Sequence, residues 1–189
     1  MATKRVYWDS CAWLGLINSE EDKVEGCQYI MQEAIRKNVE ILVSTVTLAE
    51  VFKTRCAEPY KMLAEEKDIA FEEFFDQDFI IKASVDEDIA KRARGLLRYY
   101  ASQGLKKPMD AIHLATALKF NAAEMHTFDG SDLLCLDGKI QSDSGVILKI
   151  CKPPLPPISP LLEIIEATLS QAERPQKGFQ PAEEDVVTQ

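Results

Sequence analysis

Histidine is scarce in this sequence, and the cysteines lack the spacing of common metal-binding motifs. Only two histidines and five cysteines occur among 189 residues, and no two cysteines form a Cys-x-x-Cys pair. The ligand pattern of a zinc finger is therefore absent. An odd number of cysteines outside such motifs favours reduced thiols, as in a cytoplasmic protein.

Long hydrophobic runs are also missing. No stretch approaches the roughly 18 consecutive apolar residues of a membrane-spanning helix, so we expect no membrane span. The first residues, MATKRVYWD, include basic residues but lack the apolar run of a secretory signal. With 46% hydrophobic and 28% charged residues, the composition is that of an ordinary globular chain with one core.

Positive charge is in short supply, with 22 basic against 31 acidic residues and a net charge of −9. This balance argues against non-specific binding to duplex nucleic acid through bulk charge, although it allows a local basic patch. One such patch lies between Ile89 and Met109, which contains no acidic residue and six basic ones: Lys91, Arg92, Arg94, Arg98, Lys106 and Lys107.

Strand and helix patterns alternate along the first 152 residues. Short apolar runs predict strands at 5–8, 39–43, 79–85, 124–128 and 145–150. Helical periodicity and capping residues predict helices at 19–37, 44–56, 59–76, 86–103 and 108–120. Strands separated by helices indicate βαβ units, and hence an α/β fold with a parallel sheet covered on both faces.

Proline separates the end of the chain from this body. Seven of the nine prolines follow Lys152, and the run from Pro153 to Pro160 predicts an extended linker. Residues 161–172 have the periodicity of a short helix, and the polar residues from 174 onward are typical of disorder. We therefore predict a domain at 1–152 and a proline-rich and helical tail at 153–189.

Five acidic residues follow predicted strands or begin predicted helices. Asp9 follows the first strand, Glu50 lies early in the helix after the second, and Asp110 opens the helix at 108. Asp129 follows the fourth strand, with Asp132 three residues later. Because strand carboxyl ends and the following helix N-termini share one edge of a parallel sheet, all five can meet in one crevice.

Four of these acids also have an ordinary structural explanation. Asp9 has the position of a turn cap, and Glu50 has capping-box spacing from Thr47. Asp110 suits a helix dipole, and Asp129 in Phe-Asp-Gly suits a turn. Their convergence on one edge favours the functional hypothesis, because clustered carboxylates repel each other unless a cation joins them. Mg²⁺ and Mn²⁺ prefer oxygen ligands and promote phosphodiester hydrolysis.

Four segments resemble the acidic motifs of PIN-domain nucleases, and most closely those of VapC-type toxins. They are YWDSCAWL at 7–14, TLAEVF at 47–52, KPMDAIHLATAL at 107–118 and HTFD at 126–129. The resemblance covers about residues 4–150, and the third motif is the most specific. It implies a three-layer α/β/α sandwich, Mg²⁺ or Mn²⁺ as cofactor, and endonucleolytic cleavage of single-stranded RNA. By matching position, Asp9, Glu50, Asp110 and Asp129 become the catalytic metal-site acids, with Asp132 as an auxiliary metal ligand.

Further residues receive roles from this resemblance and from the basic patch. Ser10-Cys11 stands where the family commonly has Thr-Asn, and the Ser10 hydroxyl can still bond a neighbouring carboxylate or assist substrate binding. We predict that Arg94, Arg98, Lys106 and Lys107 bind the RNA backbone, with Tyr99 and Tyr100 offering rings for base stacking. The alternative for this patch is a solvated helix face.

The resemblance also implies an antitoxin protein as a partner and a homodimer. In the resembling toxins, helices corresponding to the region 46–77 form the dimer contact and bind the antitoxin. For the aromatic residues there, Phe71, Phe74 and Phe75, a place in the core is the stronger prediction. His113 is expected to be a packed helix residue. Competing functions are a PIN nuclease of RNA processing or repair without an antitoxin, and a non-catalytic nucleic-acid-binding PIN module. A third is a doubly wound phosphotransfer domain, but such a domain typically has a second acid shortly after the first, which is missing after Asp9.

Overall fold

Five parallel strands form one sheet in the computed structural model, which describes residues 3–55, 58–142 and 145–157. Their spatial order is β3-β2-β1-β4-β5, so the first strand lies at the centre. The first and fourth strands are neighbours, and their last residues, Trp8 and His126, lie opposite each other in the sheet. The strands are β1 (Lys4–Trp8), β2 (Val39–Ser44), β3 (Ile80–Ala83), β4 (Glu124–His126) and β5 (Lys149–Cys151).

Helices cover both faces of the sheet, which confirms the predicted three-layer α/β/α sandwich. The helices in the described ranges are α1 (Ser10–Ile17), α2 (Val24–Ile35), α3 (Thr47–Glu50), α4 (Glu65–Phe75), α5 (Glu87–Tyr100) and α6 (Pro108–Lys119). One core joins the sheet to α1, α2 and α4, and the other joins it to α5 and α6. Within the described ranges, none of these helices is long and apolar enough to cross a membrane.

The strands supply both cores because both of their faces are buried. In β1, Val6 and Trp8 enter the first core, while Tyr7 between them enters the second. Trp13 stacks edge-on against Phe71 with ring centroids 5.5 Å apart, so the aromatic residues bind α1 to α4. The predicted core position is confirmed for Phe71 and Phe75, whereas Phe74 is 36% exposed.

Helix α1 was not predicted, and three other helices are shorter than expected, among them the helix predicted at 19–37, which spans Val24–Ile35. Nearly all of Ser10–Ile17 is buried, so this helix has no polar face to give an amphipathic period. The predicted helices at 44–56 and 59–76 are reduced to α3 and α4. Backbone hydrogen bonds from Thr54 N to Lys61 O (2.8 Å) and from Leu63 N to Phe52 O (3.0 Å) pair residues 52–54 with residues 61–63 in a short antiparallel bridge.

The two helices that face the second core match their predicted bounds closely. Asp86 caps α5 by accepting a hydrogen bond from Ile89 N at 3.0 Å, and Gly104 (φ 121°) follows the short 3₁₀ turn that ends it. Pro108 lies in the first turn of α6. Nζ of Lys119, at the end of α6, lies 2.6 Å from Oδ2 of Asp86, so the two helices run antiparallel.

The described part of the predicted tail is short. Pro153 is buried and lies against Gly26 of α2, where an added Cβ would come within 2.7 Å of the proline carbonyl oxygen. The predicted helix at 161–172 and the polar end of the chain lie outside the described residues. The division into 1–152 and 153–189 stays a prediction.

Candidate active site

The five acidic residues occupy the same edge of the sheet, at the carboxyl ends of its strands. Asp9 directly follows β1, Glu50 ends α3, and Asp110 lies in the first turn of α6. Asp129 and Asp132 lie in the turn that follows β4. Since β1 and β4 are neighbours in the sheet, residues spread along the sequence are brought to one place.

Three of the carboxylates form a tight group. Asp110, Asp129 and Asp132 each place a ligand oxygen so that these atoms all lie within 4.8 Å of one another. Asp132 is thus a full member of the group, although the family resemblance implied only an auxiliary role for it. The group lies where α6 begins and β4 ends, and its members are half-buried or buried.

The orientation of Asp129 is fixed by its own turn. Oδ1 accepts hydrogen bonds from Ser131 N (3.0 Å), Ser131 Oγ (2.9 Å) and Asp132 N (3.0 Å). Burial acts to raise the pKa of Asp129, but these bonds and the charge of Lys107 hold it below the ordinary value. The turn predicted as an alternative for Asp129 therefore exists, and it also fixes the carboxylate as a charged group.

The Asp110 carboxylate is in an unfavourable environment. Burial, reinforced by the charges of Asp129 and Asp132, raises its pKa to about 7, although Lys107 acts in the opposite direction. Its Oδ2 atom is buried and has no hydrogen-bond partner among the described residues. Oxygen-only donors with an unsatisfied buried carboxylate oxygen suit a hard divalent cation such as Mg²⁺ or Mn²⁺.

The ammonium group of Lys107 lies among these three acids. Nζ is 3.5 Å from Oδ2 of Asp129 and 4.0 Å from Oδ2 of Asp110, and it forms an ion pair with Oδ2 of Asp132. The bond to Asp132 and the charges of the other two acids raise the pKa of Lys107, so the side chain stays positively charged. Lys107 was predicted as an RNA-binding residue, and the structure places it within the acidic group.

Asp9 is buried beside this group and is held by the protein. Oδ1 accepts a hydrogen bond from Ala12 N at 2.9 Å, which makes Asp9 the cap of α1. Oδ2 accepts the hydroxyl hydrogen of Thr127. Burial raises the pKa of Asp9 to about 6, despite these bonds and the nearby His113. The capping role is confirmed, and a role at the metal remains a proposal.

Glu50 is held in place by a contact with His113. Oε2 of Glu50 lies 2.6 Å from Nε2 of His113, whose Nδ1 lies 2.6 Å from the hydroxyl of Tyr7. Burial acts to raise the pKa of Glu50, but the bonds to His113 and to the Ser10 side chain lower it. Burial acts to lower the pKa of His113, yet Glu50 raises it. The capping-box alternative for Glu50 is wrong, because the cap of α3 is Val46.

His113 is therefore packed, as predicted, but it also has polar partners that were not predicted. It is 1% exposed and connects Glu50 to the centre of the sheet. His113 lies three residues after Asp110, and residues at this spacing share one face of a helix. This spacing was the sequence signal that His113 lies close to the acidic site. The contact with Glu50 spans 63 residues and could not be seen from spacing alone.

The described residues contain a second group of possible ligands, formed by Glu124, His126 and Cys151. The Glu124 carboxylate already has charged partners, with Oε1 2.9 Å from Nζ of Lys4 and 3.0 Å from Nζ of Lys149. Oε2 lies 3.2 Å from Nε2 of His126. One acid with two ammonium groups leaves no excess negative charge, so this group does not resemble the aspartate site.

The predicted RNA-binding residues of α5 lie on its exposed side. Arg94, Arg98 and Lys106 are exposed, and Tyr99 is 73% exposed. Because α5 and α6 run antiparallel, the end of α5 with Arg98 lies beside the start of α6 with Asp110. Of the six basic residues of the patch, Lys107 has ion pairs with the acids among the described contacts.

A cleft of about 470 Å³ also opens at the acids, and sequence reasoning did not find it. Its walls include Asp129 and Lys107 at the site, together with Lys23, Arg55 and Phe128. Nζ of Lys23 lies 5.5 Å from the centre of the Phe128 ring. A cleft with cations and an aromatic ring can accept an unpaired nucleotide strand.

The parallel α/β/α fold with acidic residues at one sheet edge defines the class of protein, and comparison with known proteins identifies the family. The model of the PIN-domain family matches residues 6–132, and the chain belongs to this family. The family prediction is confirmed, and membership of this nuclease family supports a hydrolase activity. No curated protein has a significant sequence match to the chain.

Solved structures share the fold at low sequence identity. VapC20 of Mycobacterium tuberculosis, described as a sarcin-ricin loop cleaving toxin, is 18% identical, and the match covers 66% of this chain and 90% of VapC20 with a TM-score of 0.52. The DNA-bound VapBC of Salmonella typhimurium is 17% identical, and the match covers 78% of this chain and 98% of that one with a TM-score of 0.50. These likenesses show a common fold.

Proposed function

We propose that the chain is a metal-dependent endoribonuclease that hydrolyses phosphodiester bonds in single-stranded RNA. The observation that carries the proposal is the group of Asp110, Asp129 and Asp132, in which a buried oxygen of Asp110 has no hydrogen-bond partner among the described residues. Such a group is costly unless a cation compensates it. It lies at the sheet edge where ligands of parallel α/β proteins bind.

Asp110, Asp129 and Asp132 would hold Mg²⁺ or Mn²⁺, with Asp9 and Glu50 beside them as further acids of the site. A divalent ion held there lowers the pKa of water and neutralises charge on a phosphate. The protein's own part is to keep the oxygens in place. Ser131 fixes Asp129, as described above, so that its second oxygen stays directed at the site.

Asp9 and Glu50 are kept in place by buried partners. Thr127 donates to Asp9, and His113 holds Glu50. These two partners act as positioning residues, because each touches an acid of the site rather than the substrate. Rigid carboxylates spare the site a reorganisation cost when charge develops on the phosphate.

RNA would be held by cations on both sides of the acids. Arg94, Arg98 and Lys106 extend from the α5 side, and the cleft with Lys23 and Arg55 opens on the other. An acidic protein needs such local patches, since its overall charge repels nucleic acid. Single strands suit this surface better than duplexes, because their bases are free to stack on side chains such as Tyr99.

The biological role that we propose is that of the toxin in a toxin–antitoxin pair, acting in the cytoplasm as a homodimer that an antitoxin protein restrains. The support is the structural likeness to VapC20, described as a toxin, and to the VapBC of Salmonella typhimurium. The alternative is a PIN nuclease of RNA processing without an antitoxin. Growth arrest on expression in a bacterial host, relieved by the product of an adjacent small gene, distinguishes the two.

The substrate class is tested by incubating the pure protein with labelled single-stranded RNA, single-stranded DNA and duplex RNA. Each reaction is run with Mn²⁺, Mg²⁺ or EDTA, and Asp129→Asn serves as the control variant. We expect internal cleavage of single-stranded RNA with metal and none with EDTA or in the variant. Equal cleavage in EDTA, or cleavage confined to DNA, would contradict the proposal.

A further inference from the structure

We propose that Lys107 is the resident cation of the acidic site, and that a divalent ion must displace its ammonium group in order to bind. This inference rests on the proposed function, because it assumes that Asp110, Asp129 and Asp132 hold a metal. Its starting point is that Nζ of Lys107 lies within 4.0 Å of an oxygen of all three acids.

The charges in this group do not balance. Three carboxylates and one ammonium leave a net charge of −2 when all are ionised, so the lysine relieves the repulsion without removing it. A divalent ion in place of the ammonium would reduce the net charge of the three carboxylates further, from −2 to −1, but it needs the oxygens that Lys107 now contacts. The lysine and the metal therefore compete for the same oxygens.

The surroundings allow the lysine to leave. The Lys107 side chain is 59% exposed, whereas those of Asp110, Asp129 and Asp132 are 12–16% exposed. The ammonium thus reaches inward from the surface on a flexible four-carbon stem and has an open path back to water. Lys107 precedes the first residue of α6, so its stem can move without disturbing the helix that positions Asp110.

The balance of charge is the opposite in the second ligand group, formed by Glu124, His126 and Cys151. Glu124 faces Lys4 and Lys149 with one carboxylate against two ammonium groups, and no excess negative charge remains for a metal. At the aspartate site a single lysine is outnumbered three to one. Lys107 can therefore stabilise the site without a metal while still giving way to one.

The test is the affinity for Mn²⁺, measured by calorimetric titration at low salt, where ion pairs are least screened. Lys107→Met removes the charge and keeps the length of the stem, and Lys107→Arg keeps the charge. The exposed neighbour provides the matched control, Lys106→Met. We expect Lys107→Met to bind Mn²⁺ on the order of fivefold more tightly than the wild type, the scale of a partly exposed ion-pair network.

Lys107→Arg and Lys106→Met should bind Mn²⁺ like the wild type. Thermal unfolding gives a second readout, because without metal Lys107→Met leaves three carboxylates uncompensated. We expect a lower unfolding temperature than the wild type in EDTA and a larger rise on adding Mn²⁺. Both effects report on the lysine charge and need no cleavage assay.

Unchanged or weaker Mn²⁺ binding by Lys107→Met would overturn the inference, since the lysine would then either not compete or help to organise the acids. Asp110→Asn separates this failure from failure of the proposed function. If the wild type binds Mn²⁺ and Asp110→Asn does not, the metal site stands and only the role of Lys107 falls. If the wild type binds no Mn²⁺, both fall together.

Discussion

Nε2 of His113 lies 2.6 Å from Oε2 of Glu50, and this contact joins α6 to α3 across the edge of the sheet. The same ring contacts the Tyr7 hydroxyl at the centre of the sheet through Nδ1. A buried histidine therefore orients one of the site's acids. We therefore expect His113 to contribute to the stability of the folded protein.

Replacing His113 by alanine should lower the free energy of unfolding by about 2 kcal/mol or more, because it leaves Glu50 and the Tyr7 hydroxyl without their buried partner. Urea denaturation measures the loss. Tyr7→Phe is the smaller, matched change, since it removes one hydroxyl and should cost about 1 kcal/mol. An unchanged urea midpoint for His113→Ala would mean that the contact contributes nothing to stability.

The raised pKa of Asp110 makes a pH-dependent prediction for the metal-free protein. Its pKa is about 7 in the folded protein against an ordinary value of 3.8, so the folded protein binds this proton more tightly than the unfolded chain. Asp110 therefore costs stability as the pH rises from about 4 to about 7. Asp110→Asn removes that cost.

The unfolding temperature of Asp110→Asn relative to the wild type should therefore increase between pH 5 and pH 8, both measured in EDTA. Adding Mn²⁺ at pH 8 should reverse the order, because only the wild type then gains a ligand-bound folded state. A difference that is the same at both pH values would show that Asp110 has an ordinary pKa.

The basic face of α5 should determine RNA affinity and its dependence on salt. Replacing Arg94 and Arg98 by alanine should weaken RNA binding and lower the slope of log K against log salt by about 1.4, at about 0.7 for each lost phosphate contact on a single strand. Arg36→Ala with Lys37→Ala removes equal charge before β2, at the opposite edge of the sheet. An unchanged slope for the first pair would assign Arg94 and Arg98 to an ordinary solvated face.

Gly26 tests the docking of the chain that follows β5. A Cβ at this position would lie 2.7 Å from the Pro153 carbonyl oxygen, so Gly26→Ala should destabilise the protein by about 2 kcal/mol. Gly95 on α5 has no atom within 4 Å of an added Cβ, and Gly95→Ala should stabilise by about 0.5–1 kcal/mol. Equal unfolding temperatures for the two variants would show that Pro153 does not pack on α2.

The sequence predicted those parts of the structure that local signals determine. Asp86, Gly104 and Pro108 mark the ends of α5 and α6 through capping and backbone preference, and the structure agrees. The acidic edge followed from the positions of the acids after strands and at the starts of helices, because these ends share one edge of a parallel sheet. Helix α1 was missed because it is buried on nearly every side, and a local pattern shows only helices that have a polar face.

Contacts distant in sequence account for the remaining differences. The bridge between Lys53 and Met62 interrupts a segment that helical periodicity favoured, because backbone pairing outweighs a weak local preference. The contact of Glu50 with His113 depends on how α3 and α6 pack. The ammonium group of Lys107 lies where it does because three acids from two parts of the chain attract it. The spacing of the motifs does not predict this position.

We propose above all that the carboxylates at this edge form a metal-dependent nuclease site. The most direct measurement compares cleavage of one labelled single-stranded RNA by the wild type and by Asp110→Asn in Mn²⁺, after both proteins are shown to be folded. We expect cleavage by the wild type, none in EDTA, and a rate lower by about 100-fold or more in the variant. Equal cleavage by the two proteins would contradict it.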